Sequence, residues 1–327
     1  MSEPRGTIHL PARDIPVPST LSPEARAVLA NQPAESFEFP ALDDPKAWRT
    51  MIAAHDGAIA AMMAGRAPAT SVTVQNRDLE HCRVYEITPA GLDDRDDRVY
   101  LDIHGGGFIW GGGQLCAAMA VGTAARMAAR VWAVDYRMPP DHPFPAALDD
   151  CLAAYRALLG ERPPERVIVG GASAGGNLAA ALILRARDEG LPLPAAVVLM
   201  TPGADLTEAG DSHQTNLGLD PLIPGSSRQA FLLYAAGEDL SNPYLSPLNG
   251  DFTKGFPPAI LTTGTRDMLL SDTVLLHRAL RRAGVPAGLH VTEAAGHGGF
   301  MGMAPEDREI LREVRRFADN HWGKEQP

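Results

Sequence analysis

Short apolar runs alternate with helical stretches along most of this chain, and that rhythm narrows the possible folds more than any other feature. The runs fall at 99–103, 131–136, 167–170, 196–200, 259–263 and 289–292. Several are unbroken and β-branched, as strands buried on both faces are. Between them, 115–129, 146–159, 176–188, 273–283 and 305–321 are apolar at helical spacing. Repeated strand-then-helix units predict an α/β fold, with a mostly parallel central sheet and helices on both faces. Ahead of them, 71–76 and 82–88 alternate in period two and predict an antiparallel pair.

Two stretches break the rhythm. Residues 1–64 open as an extended arm rich in proline and hydroxyl residues, with a short helix near 23–31. They close on a helical pattern at 44–64 that carries Trp48, Met51, Ile52, Ile59 and Met63. Residues 205–254 show no strand pattern, are dense in Gly, Pro, Asn and Asp, and hold one apolar stretch at 231–236. A loop-rich insertion of that length is usually functional, often a lid. The expected organisation is an arm with cap helices at 1–64, core at 65–204, a cap insertion at 205–254 and the rest of the core at 255–327.

Composition removes several function classes. Lys and Arg number 29 against 40 Asp and Glu, a formal charge of −11, and no local basic patch offsets it. Such a surface repels phosphate backbones, so nucleic acid is not an expected partner. Cys82, Cys116 and Cys151 are too few and too scattered for a disulfide framework or a zinc cluster. No apolar run reaches the ~18 residues of a membrane span, so no membrane partner is expected. The N-terminal residues carry charges and prolines where a signal peptide has its apolar core. The expected location is cytoplasmic.

The sharpest local signal is Gly171-Ala172-Ser173-Ala174-Gly175-Gly176-Asn177-Leu178, between a β-branched run and a helix rich in Ala and Leu. A Gly-x-Ser-x-Gly in that setting is the pattern of a strained strand-to-helix turn that exposes a nucleophilic serine. A glycine turn that merely ends a strand is the plainer alternative. The helix N-terminus puts N–H groups near Ser173, where negative charge would develop.

His104-Gly105-Gly106-Gly107-Phe108 follows the run at 99–103 directly. Its glycines let backbone N–H groups approach a ligand, and paired with the Ala174 amide the loop reads as an oxyanion site. A phosphate loop is the rival, but no Gly-Lys-Ser/Thr follows, and Trp110 stands where a dinucleotide motif needs its third glycine. His104 reads as a loop organiser and not as a proton carrier.

A serine nucleophile needs a base, and the base an orienting acid. Of ten histidines, His9, His55, His81 and His321 lie on surface-like or terminal segments, and His142 in a proline-rich turn. His213 falls in the insertion, His277 in a helix and His290 in a strand. His297 sits in the glycine-rich loop after the last strand run and is the best-placed base. Asp267, just past the run at 259–263, is the candidate acid. Asp205 is its rival, and Asp272 has a ready alternative duty in a helix first turn. An unperturbed histidine would give the activity a rising limb near pH ~6.5.

Taken together, these motifs resemble the bacterial hormone-sensitive-lipase family of α/β-hydrolase esterases. The resemblance runs from about Arg98 to the C-terminal helix, and includes Asp135-Tyr136-Arg137 followed by His142-Pro143-Phe144-Pro145-Ala146-Ala147. It implies a triad of Ser173, Asp267 and His297 and oxyanion donors at the amides of Gly105, Gly106 and Ala174. It also implies a helical cap built from the N-terminal arm and the 205–254 insertion. Two departures stand out. Ala172 replaces the family's usual Asp or hydroxyl residue, and the acid loop reads Arg266-Asp267-Met268-Leu269-Leu270-Ser271-Asp272 in place of the commoner Asp-Pro-Leu-Arg-Asp.

The expected function is a serine carboxylesterase acting on short- to medium-chain esters through an acyl-enzyme, with no metal and no cofactor. Lactone or amide hydrolysis by the same groups is the near alternative. A non-catalytic small-molecule receptor is the distant one, disfavoured because all three triad positions are filled. Phe108, Trp110, Leu206, Leu219, Leu222, Phe231 and Leu232 are candidates for the pocket wall, with core packing as the alternative for each. The expected partner is a small-molecule ester; the resemblance also implies a homodimer through the last strand and its adjoining helix.

Overall fold

The computed structural model describes residues 6–8, 11–12, 14–30, 38–64 and 71–323. Its strands are β1 (Val72–Asp78), β2 (Arg83–Pro89), β3 (Val99–Ile103), β4 (Arg130–Asp135), β5 (Val167–Ala172), β6 (Ala196–Met200), β7 (Ala259–Gly264) and β8 (Ala287–Thr292). Its helices are α1 (Pro23–Ala30), α2 (Pro45–Ala64), α3 (Gln114–Met127), α4 (Ala146–Leu159), α5 (Ala174–Asp188), α6 (Ser212–Thr215), α7 (Arg228–Ala235), α8 (Leu270–Arg282) and α9 (Pro305–His321). The strands form one sheet in the order β1-β2-β4-β3-β5-β6-β7-β8. The β1–β2 and β2–β4 pairs are antiparallel and all the others parallel.

The two-residue period of the strands divides the core. Val99, Leu101, Ile103, Val167, Val169, Val197 and Leu199 pack with α4, α5 and α8 on one face. Tyr100, Ile168, Val198 and Ile260 pack with α3 and α9 on the other. Helices thus cover both faces, as the unbroken apolar runs require. Among the described residues no helix is long and apolar enough to cross a membrane.

Element starts are where the structure departs most from the sequence expectation. α5 begins at Ala174 and α8 at Leu270, earlier than the apolar pattern suggests. Both first turns are built by loop residues: Ser173 stands at the N-cap of α5, and Leu270 N donates to Asp267 O at 3.1 Å.

The stretches outside the rhythm dock at different places. Leu21, just before α1, and Ala25, Val28 and Leu29 within it pack against Ala294, Ala295, Phe300 and Ala304, and Ser22 hydrogen-bonds Glu306. In α2, the fully buried Trp48 packs with Ile109 and with Ala230 of α7. The arm residues left out of the description, among them His9, lie outside the described residues. Within 205–254 the described residues form α6, α7 and two 3-10 turns, Pro247–Asn249 and Phe252–Lys254, and no strand.

Candidate active site

Ser173 sits between β5 and α5 at φ 58° and ψ −122°. That backbone region is costly for a residue with a Cβ and survives only where the surroundings enforce it. Small neighbours allow the turn. A side chain at Gly175 would run into the Ile103 carbonyl, and one at Gly171 into Gly175. Ser173 N donates to Met200 O at 2.9 Å and Gly203 N to Ser173 O at 3.3 Å. Asn177, one turn into α5, donates to Gly203 O at 2.6 Å and Leu245 O at 2.7 Å. These bonds hold the turn where Ala172 has no side-chain hydrogen bond to offer.

The glycine loop after β3 lies against this turn. A Cβ on Gly105 would stand 2.9 Å from Ala172 O and 3.3 Å from Ser173 Cβ. His104 is buried, stacks on Tyr136 at 4.1 Å and brings Nδ1 to 2.7 Å from Gly105 O. A carbonyl only accepts, so Nδ1 carries the proton. Burial lowers the His104 pKa, with the Gly105 hydrogen bond opposing. Of the Asp135-Tyr136-Arg137 motif, Tyr136 braces the same loop and its neighbours tie down the start of α3 and α4. Asp135 accepts Gly113 N at 2.7 Å, Tyr136 Oη donates to His104 O at 3.0 Å, and Arg137 pairs with the buried Asp150.

His297 and Asp267 meet at the ends of two loops that follow β8 and β7. Nδ1 of His297 lies 3.1 Å from Oδ1 of Asp267. Oδ1 also accepts Leu269 N, and Oδ2 accepts Thr263 Oγ1, both at 2.8 Å. A carboxylate without a proton can only accept, so Nδ1 donates and Nε2 is left free to take a proton. Burial alone would lower the His297 pKa. The charge and hydrogen bond of Asp267, then the charges of Asp220 and Asp272, outweigh it and raise the pKa. The rival carboxylates are engaged elsewhere. Asp205 accepts Thr207 N and Oγ1 in its own turn, while Asp272 holds His213 Nε2 at 2.9 Å and Asp205 N at 3.0 Å.

Ser173, Ala174, His297, Gly105 and Gly106 all line one cavity of about 370 Å³. Its wall includes Phe39, His55, Asp56 and Ile59 from the arm, and Leu222 to Ser227 and Phe231 from the insertion. Of the seven expected pocket residues, Phe108, Trp110, Leu222 and Phe231 line it. Leu206 does not: its side chain is fully buried in the main core cluster, and its N–H is taken by Ser246 Oγ. Leu219 and Leu232 also fall outside the wall, Leu232 because it packs on the core.

Two residues escaped the sequence reading. His55 is no surface histidine, since it stacks on Trp110 at 4.1 Å and faces the cavity. Asp220, almost fully buried, accepts His297 N at 2.9 Å and Met268 N at 3.0 Å. Its one legible mark was an Asp-Pro step in a loop-rich stretch. A serine at a helix N-terminus, an imidazole held by a buried carboxylate and a glycine loop around one cavity make a group able to carry acyl transfer.

Compared with known proteins, residues 100–301 match the family of the alpha/beta hydrolase fold. The chain is similar to an acetyl-hydrolase of Streptomyces hygroscopicus, 39% identical over 208 residues that cover 63% of this chain and 68% of that one. It is similar to an esterase of Acinetobacter venetianus, 32% identical over 226 residues, 68% of this chain and 74% of that one. Its structure is similar to that of an esterase E25, at TM-score 0.88 and 34% identity, covering 97% of this chain and 99% of that one. It is also similar to an esterase from the bacterial hormone-sensitive lipase family, at TM-score 0.76 and 30% identity, covering 92% and 99%.

Proposed function

We propose that this chain, which belongs to the bacterial hormone-sensitive-lipase family of the α/β-hydrolase fold and is a carboxylic-ester hydrolase, works through an acyl-enzyme on Ser173. His297 Nε2 takes the Ser173 proton as Oγ bonds to the ester carbonyl carbon. The resulting oxyanion is held by the amides of Gly105, Gly106 and Ala174. His297 then gives its proton to the departing alcohol oxygen as the ester bond breaks. Water, deprotonated by the same imidazole, attacks the acyl carbon, and Ser173 leaves reprotonated with free acid as the product. Asp267 fixes the tautomer and stabilises the imidazolium. Bonds and protons balance with water as the only further reagent.

The single observation that carries this reading is the 3.1 Å contact between the buried His297 and Asp267, with His297 and Ser173 opening on one cavity. The largely apolar wall of that cavity supports short- to medium-chain esters as substrates. The arm and insertion residues in the wall support a cap role for 1–64 and 205–254. The test is Ser173→Ala with a panel of p-nitrophenyl esters and an organophosphate. Turnover should fall on the order of 10⁶-fold, by comparison with removal of a triad nucleophile in another fold. Wild type should take up one equivalent of label per chain and the variant none. A variant keeping a tenth of wild-type turnover would overturn the assignment.

A further inference from the structure

We infer that Asp220, in the 205–254 insertion, is a positioning residue that holds His297 and the Asp267 loop in register. The inference rests on the acyl-enzyme reading above and adds to it a carboxylate which that mechanism does not use. Asp220 is 1% exposed. Its Oδ2 accepts the backbone N–H of His297 at 2.9 Å and of Met268, the residue after Asp267, at 3.0 Å. Its Oδ1 accepts Leu222 N at 2.9 Å and Ile223 N at 3.0 Å. One buried carboxylate therefore joins three segments: the loop of the base, the loop of the acid, and the 222–227 stretch of the cavity wall.

All four partners are N–H donors, a set that suits an ionised carboxylate and leaves the proton of a protonated one without an acceptor. Burial, helped by the Asp267 charge, raises the Asp220 pKa above the usual carboxylate value, against the pull of the His297 charge and the Ile223 and Met268 N–H bonds. Against that rise, four N–H donors and no acceptor favour the ionised form, and we take Asp220 as ionised. Its negative charge then faces His297 together with those of Asp267 and Asp272. The loop packs closely on this segment: a Cβ on Gly296 would stand 3.2 Å from Asp220 Oδ1 and collide with Pro221. Asp220 does not touch the reacting atoms. It acts by fixing the peptide from which the His297 ring projects and by raising the basicity of that ring. A misplacement of about 1 Å at such a point costs on the order of 100-fold in rate.

The experiment compares Asp220→Asn and Asp220→Glu with wild type, with kcat corrected for active sites by organophosphate titration and kcat/KM followed from pH 5 to 10. Asp220→Asn removes the charge and at least two of the four bonds. We expect kcat to fall roughly 10- to 100-fold, and the rising limb to move to lower pH by about half a unit or more. Asp220→Glu keeps the charge but displaces it by one methylene. Its limb should stay with wild type while kcat falls about fivefold or more. A fall in kcat with an unmoved limb in Asp220→Asn makes Asp220 a structural tie only and overturns the inference. An undiminished kcat in Asp220→Asn overturns it too. Should that variant fail to fold, Asp220→Glu decides alone, and wild-type kcat or a displaced limb overturns the inference. Ser173→Ala separates this from the parent reading: residual turnover there sinks the acyl-enzyme, whereas an inactive Ser173→Ala beside an unaffected Asp220→Asn sinks only the role of Asp220.

Discussion

In the proposed mechanism His297 must be neutral to accept the serine proton, so its pKa would set the acid side of the activity profile. Asp267, Asp220 and Asp272 all favour the imidazolium and together outweigh burial, raising the pKa. A raised pKa keeps the proton on to higher pH. The rising limb of kcat/KM should therefore lie above the unperturbed ~6.5 that the sequence alone suggests. A limb at or below that value would contradict the charge arrangement. Asp267→Asn should cost on the order of 10³- to 10⁴-fold in kcat. Asp205→Asn, at a residue tied up in its own turn, should cost far less, as steady-state rates on one ester would show. Ser173, Asp267 and His297 were legible because each follows a strand run at a loop of distinctive residues. Asp220 and His55 were not. Their contacts depend on backbone N–H groups and a ring brought near from distant parts of the chain, and sequence spacing carries no trace of that.

Strand–turn–helix units carry the site, and their glycines are its tightest requirement. Gly175→Ala would thrust a methyl into the Ile103 carbonyl at the end of β3. Strand and helix would have to part, so the variant should lose soluble yield and organophosphate labelling together, as gel filtration and titration can check. The insertion is anchored to the core by a second buried pair, His213 in α6 with Asp272 in the first turn of α8. His213→Ala leaves the Asp272 carboxylate buried without its charge partner, a loss of about 3 kcal/mol. The melting temperature should drop by roughly 5 °C or more. Strand positions were readable from β-branched runs to within a few residues. Helix starts were not, because α5 and α8 open on turns whose geometry is set by Ser173 and Asp267 and not by apolar period.

Across the whole molecule the N-terminal arm makes two separate sets of contacts. Leu21 and, in α1, Val28 and Leu29 meet the loop that carries His297 and the start of α9. Each of these side chains contributes up to about 2 kcal/mol as an upper estimate. The later part of the arm instead supplies Phe39, His55, Asp56 and Ile59 to the cavity wall, and Asp56 accepts Gly111 N at 3.1 Å beside the glycine loop. Sequence pattern alone suggested one cap covering the site as a unit, since both segments merely stood outside the strand–helix rhythm. We propose that the arm's contacts split that role between α1 and residues 39–59. Deleting residues 1–30 should lower stability and slow every ester alike, acetate as much as octanoate, because the histidine loop loses its cover while the wall stays. Ile59→Trp should leave stability nearly intact and cut kcat/KM for octanoate about tenfold more than for acetate, since the added bulk fills space the longer chain needs. A deletion that changes the acetate-to-octanoate ratio as Ile59→Trp does would refute the division and return the arm to a single cap.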